Sequence, residues 1–225
     1  MNPWLIVSLG LLSVWLIIWI VRRGLRKEML WASVLTMPLG LLEPLFVPEY
    51  WSPPSLFNLA IKTGFDIESL IFSFAIGGIG SVLYEFLTRK KHKKIREYRK
   101  DSRKYNLHLL SLIVPIIIFI LLYIFTELNP IYSAVIAMFI GTIEAMICRP
   151  DLKSRVLLGG MSFFILYFLF FSLFNLIYPG LVSEIWNLLA ISGILILGVP
   201  IEELLFAFTF GMLWSTYYEH INWYK

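Results

Sequence analysis

Apolar residues occupy this chain in seven runs, and charge, proline or glycine closes each of them. The runs cover residues 4–21, 29–46, 65–87, 107–128, 131–148, 156–178 and 199–218. Each is close to the roughly 20 residues that a helix needs to cross a bilayer. The second is interrupted by Pro38 and Pro44. Residues 47–62 are rich in proline and aromatics and read as an interfacial loop, with Tyr50 and Trp51 at headgroup level. Residues 185–197 are apolar but too few for a hydrocarbon core of about 30 Å at 1.5 Å per residue. They are expected to form a re-entrant or interfacial segment, lying before Gly198 much as the stretch after Trp51 lies before Gly64.

Two of the runs are related. Gly64–Phe86 and Gly198–His220 align without a gap and are identical at ten of 23 positions, among them Glu68/Glu202, Gly77/Gly211, Tyr84/Tyr218 and Glu85/Glu219. Hydrophobicity alone does not match glutamates, glycines and a Tyr-Glu pair, so the chain reads as a tandem duplication. The predicted fold is all-α and integral to a membrane: seven transmembrane helices, arranged as two parallel three-helix repeats joined by a linking helix. Residues 1–87 form the first repeat, 88–130 a basic connector with the linking helix, and 131–225 the second repeat.

Charge sets the orientation. With the N-terminus outside and seven crossings, 18 of the 19 Lys and Arg fall on the inner side, leaving only Lys62 outside. That is the positive-inside pattern, and it predicts a multi-pass protein of the cell membrane with a cytoplasmic C-terminus. The first run has no basic residue before it, so it reads as an uncleaved anchor rather than a signal peptide. The connector 89–104 carries ten Lys or Arg; contact with anionic lipid accounts for it without nucleic acid. A mean hydropathy of +0.78 and a charged fraction of only 15% agree with this class. The single cysteine, Cys148, excludes an internal disulfide.

The chemistry is expected at acids within the runs: Glu43, Glu68, Glu85, Glu144, Glu202, Glu203 and Glu219. No Lys or Arg lies in those runs to pair with them. A charge at mid-bilayer costs about 2.5–3.5 kcal/mol on insertion scales, so such acids mark function by default. Glu202 and Glu203 oppose each other's ionisation, and desolvation favours the neutral acid. The first turn of a helix opened by Pro200 favours the anion by only about 0.3–2 kcal/mol. The pair is therefore expected to keep a proton ready to donate. Glu85 and Glu219 lie about 25 Å further along and read as anchors at the inner interface. Lys62 and Asp66 read as boundary markers. Phe72 and Phe206 follow Glu68 and Glu202 by one helical turn, and aromatic faces stabilise cations. Gly77-Gly78-Ile79-Gly80 lies in mid-run, where it serves close helix packing rather than nucleotide binding. The three histidines lie in or beside loops, giving no metal cluster.

Pro200-Ile201-Glu202-Glu203 in an apolar setting resembles the signature of the membrane lycopene cyclase domain family. The first copy reads Asp66-Ile67-Glu68-Ser69, without the proline and the second acid. The resemblance implies cofactor-independent closure of the open ends of lycopene, or a related acyclic carotenoid, to ionone rings without net redox change. It implies catalysis by Glu202 and Glu203 as donor and acceptor, with Glu68 shaping the same pocket from the other repeat. Phe72, Phe206, Glu43 and Glu144 would line the substrate. No cofactor and no metal is expected. Expected partners are lycopene or a similar polyene from the bilayer, membrane lipids, and either a second copy or carotenoid-pathway enzymes. One rival is a non-catalytic isoprenoid-binding or transport protein. The other is a CAAX-type intramembrane protease, whose Glu-Glu-x-x-x-Arg would need arginine where Ala207 stands.

Overall fold

The computed structural model describes residues 2–89 and 108–222. Nearly all of the basic connector and Lys225 lie outside the described residues. The helix α1 spans Pro3–Val21, and α2 (Arg26–Thr36) continues into a tighter 3-10 segment, Met37–Leu45. The change of pitch falls at Pro38, which cannot donate a backbone hydrogen bond within the helix. The short α3 (Leu59–Thr63) leads to α4 (Ile67–Thr88). Then come α5 (His108–Phe125), α6 (Pro130–Cys148), α7 (Lys153–Ile177) and the short α8 (Leu181–Ile185). The strands β1 (Leu195–Ile196) and β2 (Val199–Pro200) form a hairpin before α9 (Ile201–Asn222).

All seven apolar runs thus contain helix. Among the described residues, four helical segments are long and apolar enough to cross a membrane: Pro3–Val21, Ile67–Thr88, Pro130–Cys148 and Pro150–Ile177. After Ile185 the doubtful stretch has no helix. It closes in a two-residue turn whose central residues, Leu197 (φ 49°) and Gly198 (φ 80°), are both left-handed. Such turns match the twist of paired strands, and glycine at the second position removes half of the strain.

The helices α4 and α9 form the centre, with α1 and α2 against α4, and α6 and α7 against α9. Small residues let the backbones close up, as packing between apolar helices requires. Gly77 lies against Thr36, Gly78 against Ser33 and Trp15, and Gly80 against Phe210. On the other side Gly159, Gly160 and Gly211 bring α7 onto α9. Trp214 Nε1 donates to Thr36 Oγ1 (2.6 Å), tying α9 to α2.

The two central helices run the same way. Glu85 near the end of α4 and Glu219 near the end of α9 both pair with Arg155, the latter at 2.5 Å. Glu28 of α2 lies 3.6 Å from the same guanidinium. This corrects the expectation that no cation meets these acids. The helix α7 begins at Lys153, so Arg155 stands in its first turn, turned inward and 7% exposed. An arginine beside a helix end can place its head wherever the long stem reaches. Glu85 and Glu219 are thus buried members of an ion cluster rather than interfacial anchors. His220, expected beside a loop, is buried in α9.

Contacts recur in pairs across the chain. Arg22, capping α1, donates to the Glu85 carbonyl (3.3 Å), and Arg149, capping α6, donates to the Glu219 carbonyl (3.4 Å). Asn2 caps α1 ahead of Pro3, accepting from Trp4 N (2.9 Å), and Asn129 caps α6 ahead of Pro130, accepting from Ile131 N (3.2 Å).

Arg155→Met leaves the cluster's buried carboxylates without this cation. Removing one partner of a buried ion pair costs about 3–5 kcal/mol. Unfolding in detergent should show a loss of that order, and a loss below about 1 kcal/mol would mean that the cluster is not structurally important.

Candidate functional site

The second copy of the acidic element sits in the first turn of α9. The hairpin ends at Pro200, and the helix starts at Ile201. Glu202 and Glu203 are both buried. Adjacent helical positions point about 100° apart, so the two carboxyls enter different surroundings. They do not share one set of contacts.

Glu203 is held by three donors. Tyr50 Oη donates to Oε1 (2.5 Å), Trp186 Nε1 to the same oxygen (2.9 Å), and Tyr167 Oη to Oε2 (2.5 Å). Trp186 also donates to Tyr50 Oη (3.1 Å). An indole N–H can only donate, so Oε1 is an acceptor. A tyrosine hydroxyl can do either, which leaves Oε2, beside Tyr167, as the oxygen of Glu203 that can carry a proton.

Tyr50 was expected at headgroup level, yet it is buried against Glu203. The loop carrying it folds inward because Trp51 and Trp186 pair as a backbone bridge, with Ser52 N donating to Ile185 O (2.7 Å) and Asn187 N to Tyr50 O (2.9 Å). Burial, and then the neighbouring Glu203, push the Tyr50 hydroxyl above its ordinary range. It therefore stays protonated and able to donate.

Glu202 is held on one side only. Oε1 accepts from Tyr132 Oη (2.7 Å) and Ser192 N (2.9 Å), while Oε2 is buried with no partner among the described residues. Glu68 repeats this arrangement in α4. Its Oε1 accepts from Asn2 Nδ2 (2.6 Å) and Leu56 N (2.8 Å), and its Oε2 is likewise buried without a partner. In each case one donor is a side chain at the start of a helix, Asn2 at α1 and Tyr132 at α6. The other is a backbone amide in the loop before the acid.

Aromatic rings wall the Glu203 side. Tyr167 lies 4.6 Å from Phe171, 5.8 Å from Phe163, 6.4 Å from Phe206 and 6.5 Å from Phe72, measured between ring centroids. Trp4 continues the wall, 5.0 Å from Phe72 and 4.8 Å from Trp51. Phe72 and Phe206, singled out by their spacing from the glutamates, thus meet on one tyrosine from α4 and α9.

The remaining expected residues part company. Glu43, in the 3-10 segment, is buried near the start of α4, where its carboxyl meets Asp66 and Ser69. Asp66 is no boundary marker: it is fully buried and caps α4, accepting from Ser69 N (2.5 Å). Glu144 is half-buried on α6 near Tyr217 and Cys148. Tyr217 is 15 residues past Glu202, roughly 22 Å along the helix, so Glu144 lies apart from the glutamate site. No group of three or more His, Cys, Asp or Glu placed to hold a metal occurs among the described residues.

Tyr50, Tyr167 and Trp186 were not foreseen as partners of Glu203. Only the pairing of Trp51 with Trp186 across the copies hinted at that end. Asp66-x-x-Ser69 carried an N-cap signal that was passed over.

Residues 129–221 match the lycopene cyclase family model. The match runs from the cap of α6 to the end of α9 and includes Glu202, Glu203, Tyr132, Tyr167 and Trp186. Over these residues the chain is similar to the lycopene cyclase family. No curated protein and no solved structure matches the chain.

Tyr167→Phe strips Glu203 Oε2 of its donor. A buried acceptor left unsatisfied costs about 1–3 kcal/mol. Unfolding in detergent should register that loss, and the same substitution in a Glu203→Gln background should register a different one. Equal losses in both backgrounds would mean that the two groups are not coupled.

Proposed function

We propose that the chain is a carotenoid cyclase that closes the open ends of lycopene, or a related acyclic polyene, without a cofactor. It would work as a multi-pass membrane protein of seven crossings, two parallel three-helix repeats joined by α5, with the N-terminus outside and the C-terminus cytoplasmic. The observation that carries this reading is Glu203: a buried carboxyl under three donors, walled by aromatic rings, in the segment that matches the family. The paired caps at Asn2 and Asn129, and at Arg22 and Arg149, support a duplicated architecture.

The reaction needs an acid, a wall that tolerates positive charge, and a base. A proton is added to the terminal carbon–carbon double bond, giving a tertiary cation. The next suitably placed double bond attacks it, forming the ring's carbon–carbon bond, and loss of a proton restores a double bond. The product is an isomer of the substrate, so no electrons leave. The free Oε2 of Glu202 suits the donor role, because nothing in the described chain competes for its proton. Glu203 suits the acceptor role, since Oε2 can take up the lost proton while the Tyr167 hydroxyl turns from donor to acceptor. Phe72, Phe206 and Tyr167 offer ring faces to the intervening cation. The substrate would enter from the bilayer, which supplies the apolar surroundings that the carboxyls already require.

Expression in a lycopene-accumulating bacterium tests this. The unsubstituted chain should convert lycopene to ringed product. Glu202→Gln and Glu203→Gln should each lower turnover by about 10²–10⁴-fold, the usual contribution of general acid–base catalysis. Unchanged lycopene beside well-folded protein would overturn the cyclase reading in favour of an isoprenoid carrier. Turnover that survives both substitutions would overturn the residue assignment.

A further inference from the structure

We infer that the first repeat holds a second acid–base site, Glu68 with Glu43, which acts on the other open end of the polyene. The inference rests on the cyclase reading above. The first copy of the signature has lost its second acid, since Ser69 stands where the second copy has Glu203. Sequence alone makes this an eroded half. The surroundings of Glu68 and Ser69 point the other way.

Glu68 has kept the construction of Glu202 in full. Both are the second residue of a central helix, and both have Oε1 fixed by one loop amide and one side chain from a first helix. Both leave Oε2 buried and unpartnered among the described residues. A carboxyl with no catalytic or binding duty gains nothing from holding one oxygen in that state, because an unsatisfied buried polar atom costs about 1–3 kcal/mol.

The missing second acid is supplied from elsewhere. The 3-10 segment Met37–Leu45 crosses the start of α4 so closely that a Cβ on Gly40 would strike the Ser69 backbone. Three residues on, this brings Glu43 beside Ser69 and Asp66. Glu43 is 4% exposed, and its carboxyl interacts with the side chains of both. A carboxyl has therefore been regained next to position 69 from a neighbouring segment. Asp66 caps the helix through Ser69 N and also meets Glu43, so Glu43 stands as the second carboxyl able to accept. The step is the one written above: a proton passes from Glu68 to the terminal double bond, the ring bond closes, and Glu43 takes the proton that is lost. The polyene end is the only reactant.

The test is expression in a lycopene-accumulating bacterium, with one-ring and two-ring products counted per unit of protein in the membrane. Induction is adjusted so that total conversion is matched to the unsubstituted chain. Glu68→Gln and Glu43→Gln should each lower two-ring product at least tenfold, while one-ring product, made at Glu202 and Glu203, persists. Glu43→Gln combined with Ser69→Glu, which returns the acid to the position used by the second copy, should recover two-ring product to within about threefold. A mere loss of folding at Glu43 would not be repaired in this way.

Two-ring product within twofold of normal in both single variants would overturn the second site while leaving the cyclase reading intact. So would an unsubstituted chain that stops at one ring. A loss in Glu43→Gln that Ser69→Glu does not relieve would overturn Glu43 as the regained acid. No ringed product from the unsubstituted chain would overturn both readings at once.

Discussion

A carboxyl group inside an apolar helix bundle must be paired with a cation, held by donors or kept neutral, and this chain uses different answers at its two ends. At one end Arg155 gathers Glu28, Glu85 and Glu219. At the other, no arginine or lysine makes an ion pair with Glu203, Glu202 or Glu68 among the described residues, and hydroxyl, indole and amide groups hold them instead. The ion cluster ties the C-terminal ends of the parallel α4 and α9 to the start of α7, which runs the opposite way. The donor-held end is where chemistry remains open, because a carboxyl without a cation keeps its proton exchange with a ligand. Burial without a counter-charge makes that end costly to build, and the inward fold of the Tyr50 and Trp186 loops follows from it.

Much of the architecture was legible in the sequence. Apolar run length located every long helix among the described residues, and the alignment of the two acidic elements anticipated that α4 and α9 run the same way. Glycine spacing in Gly77–Gly80 anticipated close packing, which Thr36, Ser33 and Phe210 bear out. The misses share a physical cause. Whether Arg155 belongs to a loop or to a helix depends on a boundary shift of a few residues, and its partners lie 64 to 127 positions away in the chain. Tyr50 and Glu203 are separated by 153 positions. Tyr50 sits in a proline-rich loop without periodicity, so nothing local announces its inward turn.

The paired geometry of Glu68 and Glu202 alters how the duplication reads. Divergence at Pro200/Asp66 and Glu203/Ser69 suggests decay when residues are compared position by position. Compared contact by contact, the first copy retains its held carboxyl, and Glu43 returns a second acid from an adjacent segment. Compensation of this kind needs no match in sequence, only a backbone that passes close by, and the approach of Gly40 to Ser69 provides it.

The central claim is that a carboxyl in this chain delivers a proton to the end of a polyene. The direct measurement is cyclisation of unlabelled lycopene by isolated membranes in deuterium oxide, followed by mass analysis of the product. Proton delivery from an exchangeable carboxyl predicts a gain of one mass unit for each ring formed. Rings formed with no deuterium, in protein fully exchanged beforehand, would contradict it.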